Sequence, residues 1–507
     1  MTKTFFNNGF LIIVLATLAT TLYPHEARSV VLGETGPTFS LTAKEGSIRT
    51  GDGDSVPMWG YAAAGKDMQF PGPTLIVNQG STVAITLTNQ LRLPVSLVIP
   101  GQKVTVSSSG GVPGLLTTEV PPDNGVSSVT YTFTPAQPGT YTYYSGTQPE
   151  LEVEMGLQGA IVVRPTGFDP TTVAGRRAFT DPSTSYDREY LMLLSEIDVE
   201  QHKAVGRGEI IAVDHTDRRP VTWFENGRTM PDTMVDAGST ILPNQPYNSL
   251  PLSHPGEKIL IRFVGAGLDL HPLHTHGQNH LVIARDGRVL NSTTSNDLSP
   301  DLGVSDYTTT VVPGETVDAI YGVWTGAKLG WDVYGPKEGS GPPLNGYNRT
   351  INWSQFLPLQ RSVAVHTCNA PCNPANTPFY PGCEAACNSA NTADPNCFDP
   401  TTHEYCPDHD KDFPLQLPTQ DELTFGLMFG GTAFLGVSAT LPPVNTNDGL
   451  FHSQQNPDAG LSFMWHSHNE REITTNNVFI GGMATMSLIL PYSVDFTKIP
   501  NLNDPKP

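Results

Sequence analysis

Residues 463–470 read Phe-Met-Trp-His-Ser-His-Asn-Glu, and residues 271–277 read His-Pro-Leu-His-Thr-His-Gly. Each stretch contains a His-x-His step. In an extended strand, residues i and i+2 point to the same face, so each step can aim two imidazoles at one point. If the two strands lie side by side, four imidazoles could surround one metal ion or a coupled pair. The four residues are His274, His276, His466 and His468.

The composition predicts a β-rich, multi-domain chain. The 507 residues are too many for one small core, so two or three domains are expected. Only 15% of the residues are charged, whereas 48 are glycine and 45 are proline, which favours short strands joined by many turns. The formal net charge of -21 argues against nucleic acid or an anionic membrane surface as a partner.

The N-terminus, residues 1–29, has the pattern of a secretory signal peptide. Lys3 supplies a positive charge, Phe10–Leu22 forms a short apolar core, and the small residues Ala27 and Ser29 follow. A retained membrane anchor is the alternative, but the apolar run is short for a bilayer span. We therefore expect a mature chain without a transmembrane span that is secreted, periplasmic or on the cell surface.

Turn signals divide the rest of the chain. Residues 30–165 alternate strand patterns with turns and predict one antiparallel sandwich. Residues 166–187 are rich in Thr, Ser, Pro and Gly and predict a linker. A second β unit spans 188–335 and resumes at 455–495, with tight turns at Phe224–Gly227 and Asp286–Gly287. Residues 336–454 lose the strand pattern and predict a long, loop-rich insertion.

This insertion contains all six cysteines of the chain. In an exported protein, six cysteines within one segment indicate three disulfides, for which 15 pairings exist. A zinc or redox cluster is the alternative, although it would more often show a Cys-x2-Cys spacing. The residues are Cys368, Cys372, Cys383, Cys387, Cys397 and Cys406.

Three acidic residues alternate just before Met155. Glu150, Glu152 and Glu154 share one face if this segment is a strand. The simpler interpretation is a solvated strand face, and the alternative is a cation site.

Several motifs resemble those of multicopper oxidases. Residues 71–80 (PGPTLIVNQG) resemble the opening of that family's first domain, and residues 138–163 resemble its close. The 271–277 stretch resembles the motif HPxHxHG, and His466-Ser-His with the later Gly482-Met483 resembles HCHxxxHxxxGM. The resemblance covers about 35–335 and 455–492. It implies an all-β chain of two cupredoxin-like Greek-key β-sandwich domains, the second interrupted by the Cys-rich insertion.

The chain also departs from the family pattern. The family's first domain carries a His-Trp-His-Gly step and a His-Ser-His step, but the matching segments here, 96–101 and 144–146, contain no histidine. By resemblance, the first domain then supplies none of the usual ligands of the trinuclear copper cluster. The second domain keeps its four.

The resemblance also implies a damaged type 1 copper site. Ser467 stands at the cysteine position and Glu472 at that of the second histidine, so His271 remains as a candidate ligand. A blue copper site needs a soft thiolate, which a serine hydroxyl cannot replace. We therefore do not expect laccase-like reduction of dioxygen by an isolated chain.

Three further residues lie close to the two motifs in sequence. Glu470 and Glu472 lie two and four residues after His468, and could be extra ligands, hydrogen-bond acceptors that orient a ligand, or a general base. His280 could be a ligand, an orienting partner or a structural residue. For all the histidines, the competing interpretation is a sandwich that retains them only as hydrogen-bonded interior residues.

The sequence thus predicts an exported, multicopper-oxidase-like protein that binds copper, or another transition metal such as zinc, through two His-x-His pairs. Oxidoreductase activity is expected from the resemblance. The alternative is a non-catalytic cupredoxin scaffold that holds metal or serves in surface assembly. A partner subunit or oligomer that supplies missing ligands remains open.

Overall fold

The computed structural model describes residues 31–210, 215–253, 257–276, 279–293, 298–322, 435–436 and 459–489. These residues form two β-sandwiches, which confirms the all-β prediction. The described α-helices are α1 (Pro149–Glu152) and α2 (Val199–Gly206), and no described helix has the length and apolar character to span a bilayer. The predicted signal peptide and the six cysteines lie outside the described residues.

The first sandwich has one sheet in the order β1-β4-β11-β10 and another in the order β3-β2-β5-β9-β6, while β7 pairs with β8. Its strands are β1 (Glu34–Thr35), β2 (Thr38–Arg49), β3 (Ser55–Ala63), β4 (Leu75–Asn78), β5 (Val83–Asn89), β6 (Thr105–Ser109), β7 (Val112–Pro113), β8 (Thr118–Glu119), β9 (Ser128–Phe133), β10 (Gly139–Tyr144) and β11 (Gln158–Arg164). Strand β5 alternates buried and half-buried residues along its length, as a strand with one face on the core requires.

The second sandwich has one sheet in the order β13-β12-β15-β21-β17-β18, with β19 beside β17. Its other sheet has the order β14-β24-β23-β16-β20, with β22 beside β23. The strands are β12 (Arg188–Ile197), β13 (Thr222–Glu225), β14 (Leu252–Ser253), β15 (Ile259–Gly265), β16 (His271–Thr275), β17 (His280–Arg285), β18 (Arg288–Val289), β19 (Val304–Asp306), β20 (Thr308–Val311), β21 (Thr316–Tyr321), β22 (Leu435–Gly436), β23 (Ala459–Ser467) and β24 (Ala484–Ile489).

The prediction of a purely antiparallel first sandwich is wrong. Strand β2 pairs in parallel with β5, and β4 pairs in parallel with both β1 and β11. A short hairpin makes two consecutive strands antiparallel. These paired strands are separated along the chain by other strands, so no hairpin constrains their relative direction. A local alternation of apolar and polar residues predicts a strand but cannot predict which distant strand will lie beside it.

The two predicted tight turns are confirmed in the second sandwich. Asn226 and Gly227 have φ values of 52° and 75°, and Asp286 and Gly287 have φ values of 49° and 69°. Two consecutive positive φ angles are typical of the type I′ turn, whose twist matches that of the flanking strands. The second turn joins β17 to β18.

The interpretation of Glu150, Glu152 and Glu154 as a solvated strand face is wrong. Pro149 begins the short helix α1, and proline suits this position because its fixed φ is already helical. Glu152 is 0% exposed and Glu154 is 1% exposed. Glu154 accepts a hydrogen bond from Arg218 Nε at 2.6 Å, so its charge is compensated inside the protein.

The predicted linker, residues 166–187, packs against the second sandwich. Phe179 and Tyr186 are fully buried and belong to an apolar cluster that includes Leu260 and Ile283. The domain limits remain predictions. Within the predicted insertion, the structure describes residues 435–436, which pair with β23.

Four buried charges join the two sandwiches. Arg164 of β11 and Arg262 of β15 both contact Glu189 of β12, at 2.6 Å and 2.5 Å. Arg262 also contacts Asp318 of β21 at 2.8 Å. Burial disfavours the charge of Glu189, but the two guanidinium groups outweigh it and lower the pKa of this carboxyl to about 2.

Removal of one cation should leave this network uncompensated. We expect Arg262→Met to lower the free energy of unfolding by about 3–5 kcal/mol, because a buried charge without a partner is costly. Urea unfolding at neutral pH measures the change. Arg219→Met serves as the matched control, since the pair of Arg219 with Asp217 is largely exposed and contributes little. Equal stability of the two variants would contradict this role of the network.

Candidate metal centre

Strands β16 and β23 bring the two His-x-His motifs together. They pair antiparallel, with His274 directly opposite His466 and Leu273 opposite Ser467. Side chains of directly opposed residues lie on the same face of a sheet. The two strands therefore lie side by side, which is the condition for a shared site, and we call His274, His276, His466 and His468 the histidine cluster.

The four rings of the histidine cluster lie close to one another. The centroid of His274 lies 4.7 Å from that of His276, 5.4 Å from that of His466 and 4.9 Å from that of His468. His274, His276 and His466 each offer one nitrogen, and these three nitrogens all lie within 4.8 Å of one another. His468 is exposed and lies at the rim, outside this set of three.

Two nitrogens already have the spacing of ligands that share an ion. His276 Nε2 lies 3.1 Å from His466 Nε2. Two nitrogens bound to one ion at about 2.0–2.1 Å, with a tetrahedral angle between them, lie about 3.3 Å apart. This set of imidazoles therefore fits a transition-metal ion such as copper or zinc.

Hydrogen bonds orient two of the rings. His466 Nδ1 donates to the Ser467 carbonyl at 2.7 Å, which leaves Nε2 with its lone pair. His274 Nδ1 lies 2.7 Å from the Thr308 hydroxyl on β20, and this contact orients the ring. A partner on the second ring nitrogen fixes the direction of a metal ligand, and a carbonyl partner also fixes its tautomer.

His274, His276 and His466 are neutral at neutral pH. Burial, with the neighbouring imidazoles, lowers the pKa of His274 and of His276 to about 4. Burial also lowers the pKa of His466. A metal ion binds the deprotonated nitrogen, so these shifts keep the three rings available to a cation across the neutral range.

His271, a predicted ligand, has both ring nitrogens bound to carboxylates. Its Nε2 donates to Glu196 at 2.9 Å and its Nδ1 donates to Glu472 at 3.0 Å. Glu472 also accepts from the Ser467 hydroxyl at 2.6 Å. We call Glu196, His271, Ser467 and Glu472 the carboxylate–imidazole cluster.

The carboxylate–imidazole cluster does not fit a blue copper ion. The donor set contains no thiolate, and the one imidazole has no free nitrogen. Although burial disfavours its charge, the hydrogen bonds that His271 donates to Glu196 and Glu472 raise the pKa of His271 to about 9. This position holds a charged, hydrogen-bonded group instead of a ligand.

Two further candidates lie away from the histidine cluster's nitrogens. His280 is fully buried, with Nδ1 2.9 Å from the Thr275 hydroxyl and Nε2 2.7 Å from the Thr309 hydroxyl, so it has a structural role in the sandwich. Glu470 begins the 3-10 turn Glu470–Ile473 and is exposed to solvent.

The first sandwich presents hydroxyl groups where the sequence lacks histidines. Thr147 Oγ1 donates to Ser96 Oγ at 2.9 Å, and Ser145 Oγ donates to Glu152. All four residues are buried. These hard oxygen donors suit copper less well than imidazoles do. The imidazoles of the histidine cluster all belong to the second sandwich.

Sequence reasoning missed Glu196, Arg218 and Thr308. Glu196 is the one acidic residue in the segment Leu191–Ile197, which is apolar apart from Ser195 and Glu196, and such a residue is expected to need a buried partner. Arg218 binds Glu196 from a segment without a strand pattern, and Thr308 reaches His274 from a different strand. Neither of these last two contacts has a local sequence signal.

Comparison with known proteins gives partial matches. The family model described as "Multicopper oxidase" matches residues 49–167. A "Probable nitrite reductase-hydroxylamine oxidoreductase fusion protein" from Kuenenia stuttgartiensis is 24% identical over 247 residues, 48% of this chain and 25% of that protein. "Laccase 1" from Metarhizium majus is 36% identical over 101 residues, 20% of this chain and 16% of that protein.

A solved structure, the blue copper oxidase from Nitrosomonas europaea, aligns with a TM-score of 0.46 at 16% identity. The alignment covers 90% of this chain and 86% of that chain. The present chain spans a quarter or less of the length of the curated relatives named above.

The raised pKa of His271 predicts a pH dependence of stability in chelator-treated protein. An unperturbed histidine titrates near pH 6.5, so the stabilisation is fully present below about pH 6.5 and is lost as the pH rises through about 9. Urea unfolding at pH 6, 7.5 and 9 should show this loss, of about 1–3 kcal/mol.

His271→Gln should abolish this loss, because glutamine carries no titrating charge. His280→Gln is the control, since burial lowers rather than raises the pKa of His280 and its removal leaves the loss in place. A His271→Gln protein that retained the full pH dependence would contradict the assignment.

Proposed function

We propose that this chain, a divergent member of the multicopper oxidase family with an all-β cupredoxin fold, binds copper at the histidine cluster and acts as an oxidoreductase. The observation that supports this most directly is the 3.1 Å separation of His276 Nε2 and His466 Nε2 in a group of neutral imidazoles. Copper, when bound, would supply one-electron redox chemistry.

The protein's own residues would hold the ion and set its surroundings. His274, His276 and His466 would be the ligands, each through a nitrogen that faces the centre of the group. Thr308 and the Ser467 carbonyl would keep two of the rings in place during turnover. His468 would add a fourth nitrogen from the rim.

A small substrate would reach the histidine cluster directly. His468 is exposed, and Tyr307, 57% exposed, packs edge-on against His274 with a centroid distance of 5.5 Å. The carboxylate–imidazole cluster does not fit a blue copper ion, so we propose that electrons enter from a substrate bound at the histidine cluster. Export of the chain, for which residues 1–29 are the sequence support, belongs to the same proposal.

Copper loading tests the ligand set. We expect the mature chain to bind Cu(II) with nitrogen hyperfine structure in its EPR spectrum and without an intense blue band, because Ser467 provides no thiolate. The His276→Ala/His466→Ala variant should bind copper at least ~100-fold more weakly, since even the loss of a partner outside the ligand set costs about 10–100-fold.

His280→Gln is the matched control, since it removes a buried imidazole whose two nitrogens contact the Thr275 and Thr309 hydroxyls and not the histidine cluster. It should retain the copper stoichiometry of the wild type. Full stoichiometry and affinity in the double-alanine variant, or an intense blue band in the wild type, would refute the ligand assignment.

Turnover tests the oxidoreductase part separately. Copper-loaded wild type should oxidise a small phenol under air, two phenols each giving one electron and one proton to reduce dioxygen to hydrogen peroxide, and the double-alanine variant should lose at least ~90% of that rate because it lacks two ligands. Oxygen consumption and product absorbance give the rates. Copper binding at full stoichiometry without turnover would refute the oxidoreductase part and leave a protein that holds copper.

A further inference from the structure

Glu472 contacts both strands that carry the histidine cluster. Its Oε2 accepts from Ser467 Oγ at 2.6 Å, and Ser467 lies between His466 and His468 on β23. The same oxygen accepts from His271 Nδ1 at 3.0 Å, and His271 begins β16. A single carboxylate group is therefore bonded to both His-x-His strands, on the opposite side of β23 from the metal-facing nitrogens.

The remaining oxygen of Glu472 holds the turn that follows the second motif. Oε1 accepts from Asn469 Nδ2 at 2.9 Å, and the Asn469 backbone N–H donates to Ser467 Oγ at 3.1 Å. The His468 backbone N–H donates to the Pro272 carbonyl at 2.7 Å. These bonds tie the end of β23 to β16 at the point where His468 follows the strand.

The other ring nitrogen of His271, Nε2, is also held by a buried hydrogen bond. Its Nε2 donates to Glu196 Oε2, and Glu196 Oε1 accepts from the backbone N–H groups of Leu268 and Asp269 at 2.8 Å and 3.0 Å. Arg218 adds a charged contact to Glu196. His271 is 0% exposed, Glu196 1% and Glu472 2%, so water does not compete for these charge-assisted bonds.

We propose that Glu472 is a positioning residue that assembles the histidine cluster before any metal arrives. It holds Ser467 of β23 against His271 of β16, which places His466 Nε2 3.1 Å from His276 Nε2. Its own oxygens are occupied by Ser467, His271 and Asn469, so it acts through the strands and not as a ligand. The expected effect of Glu472 on copper affinity rests on the proposed function, whereas its contact between β16 and β23 does not.

Copper affinity is the first test. Glu472→Gln keeps the shape of the side chain but removes the charge, and it should weaken Cu(II) binding about 10–100-fold in chelator competition. Its EPR spectrum at saturating copper should match that of the wild type, because the nitrogen ligands are unchanged. Glu200→Gln, which removes an exposed carboxylate on α2, is the control and should stay within about twofold of wild type.

A double-mutant cycle separates positioning from a general loss of stability. Ser467→Ala removes the hydroxyl through which Glu472 holds β23, so it should weaken copper binding in the same direction. The Glu472→Gln/Ser467→Ala protein should bind copper about as weakly as whichever single variant has the lower copper affinity, because both changes remove one shared contact. Strictly additive losses would refute the shared contact.

Amide hydrogen exchange tests the strand contact without metal. In chelator-treated protein, Glu472→Gln should exchange the amides of residues 466–473 roughly tenfold faster than wild type, while β2 and β5 of the first sandwich stay unchanged. Unchanged exchange at 466–473 would overturn the proposal. If wild type binds no copper but this segment loosens in the variant, the copper function fails and the positioning contact stands.

Discussion

The antiparallel register of β16 and β23 is the constraint on which the candidate site depends. With His274 opposite His466, the outward face of the pair carries imidazoles and the inward face carries Leu273 and Ser467. A slip of one residue would exchange the two faces, since side chains alternate along a strand. It would bury imidazoles in an apolar core and expose leucine, so burial fixes the register and the register assembles the site.

Buried charges impose a second constraint. Arg164, Glu189, Arg262 and Asp318 pair between the sandwiches, and the carboxylate–imidazole cluster pairs within the second one. Buried ions are costly when unpaired, so their partners leave few alternative arrangements of the strands. Glu225 differs from these buried charges. Neither of its carboxylate oxygens accepts a hydrogen bond among the described residues, and burial raises its pKa far above the usual value. Burial therefore disfavours the ionised form of this carboxyl.

The two sandwiches carry different donor groups. In the first sandwich, Ser96, Ser145 and Thr147 form a network of hydroxyl groups with Glu152. In the second, one cluster of imidazoles lies near the surface, and a carboxylate–imidazole cluster lies behind it. Ser467 lies on β23 between the two clusters: its neighbours His466 and His468 belong to the histidine cluster, and its own hydroxyl donates to Glu472. The same short segment thus contributes to the histidine cluster and to the buried hydrogen bonds behind it.

The sequence by itself determined the all-β class, the two positive-φ turns and the two His-x-His steps in strand-forming segments, because these depend on alternation and turn chemistry within a few residues. The tertiary structure alone decided that β2 and β5 run parallel, that Glu152 and Glu154 are buried beside a short helix, and that His271 lies between Glu196 and Glu472. His271 and Glu196 are 75 positions apart, and His271 and Glu472 are 201 apart. No local pattern encodes such pairs; only the packing of the completed sandwich brings the groups within hydrogen-bonding distance.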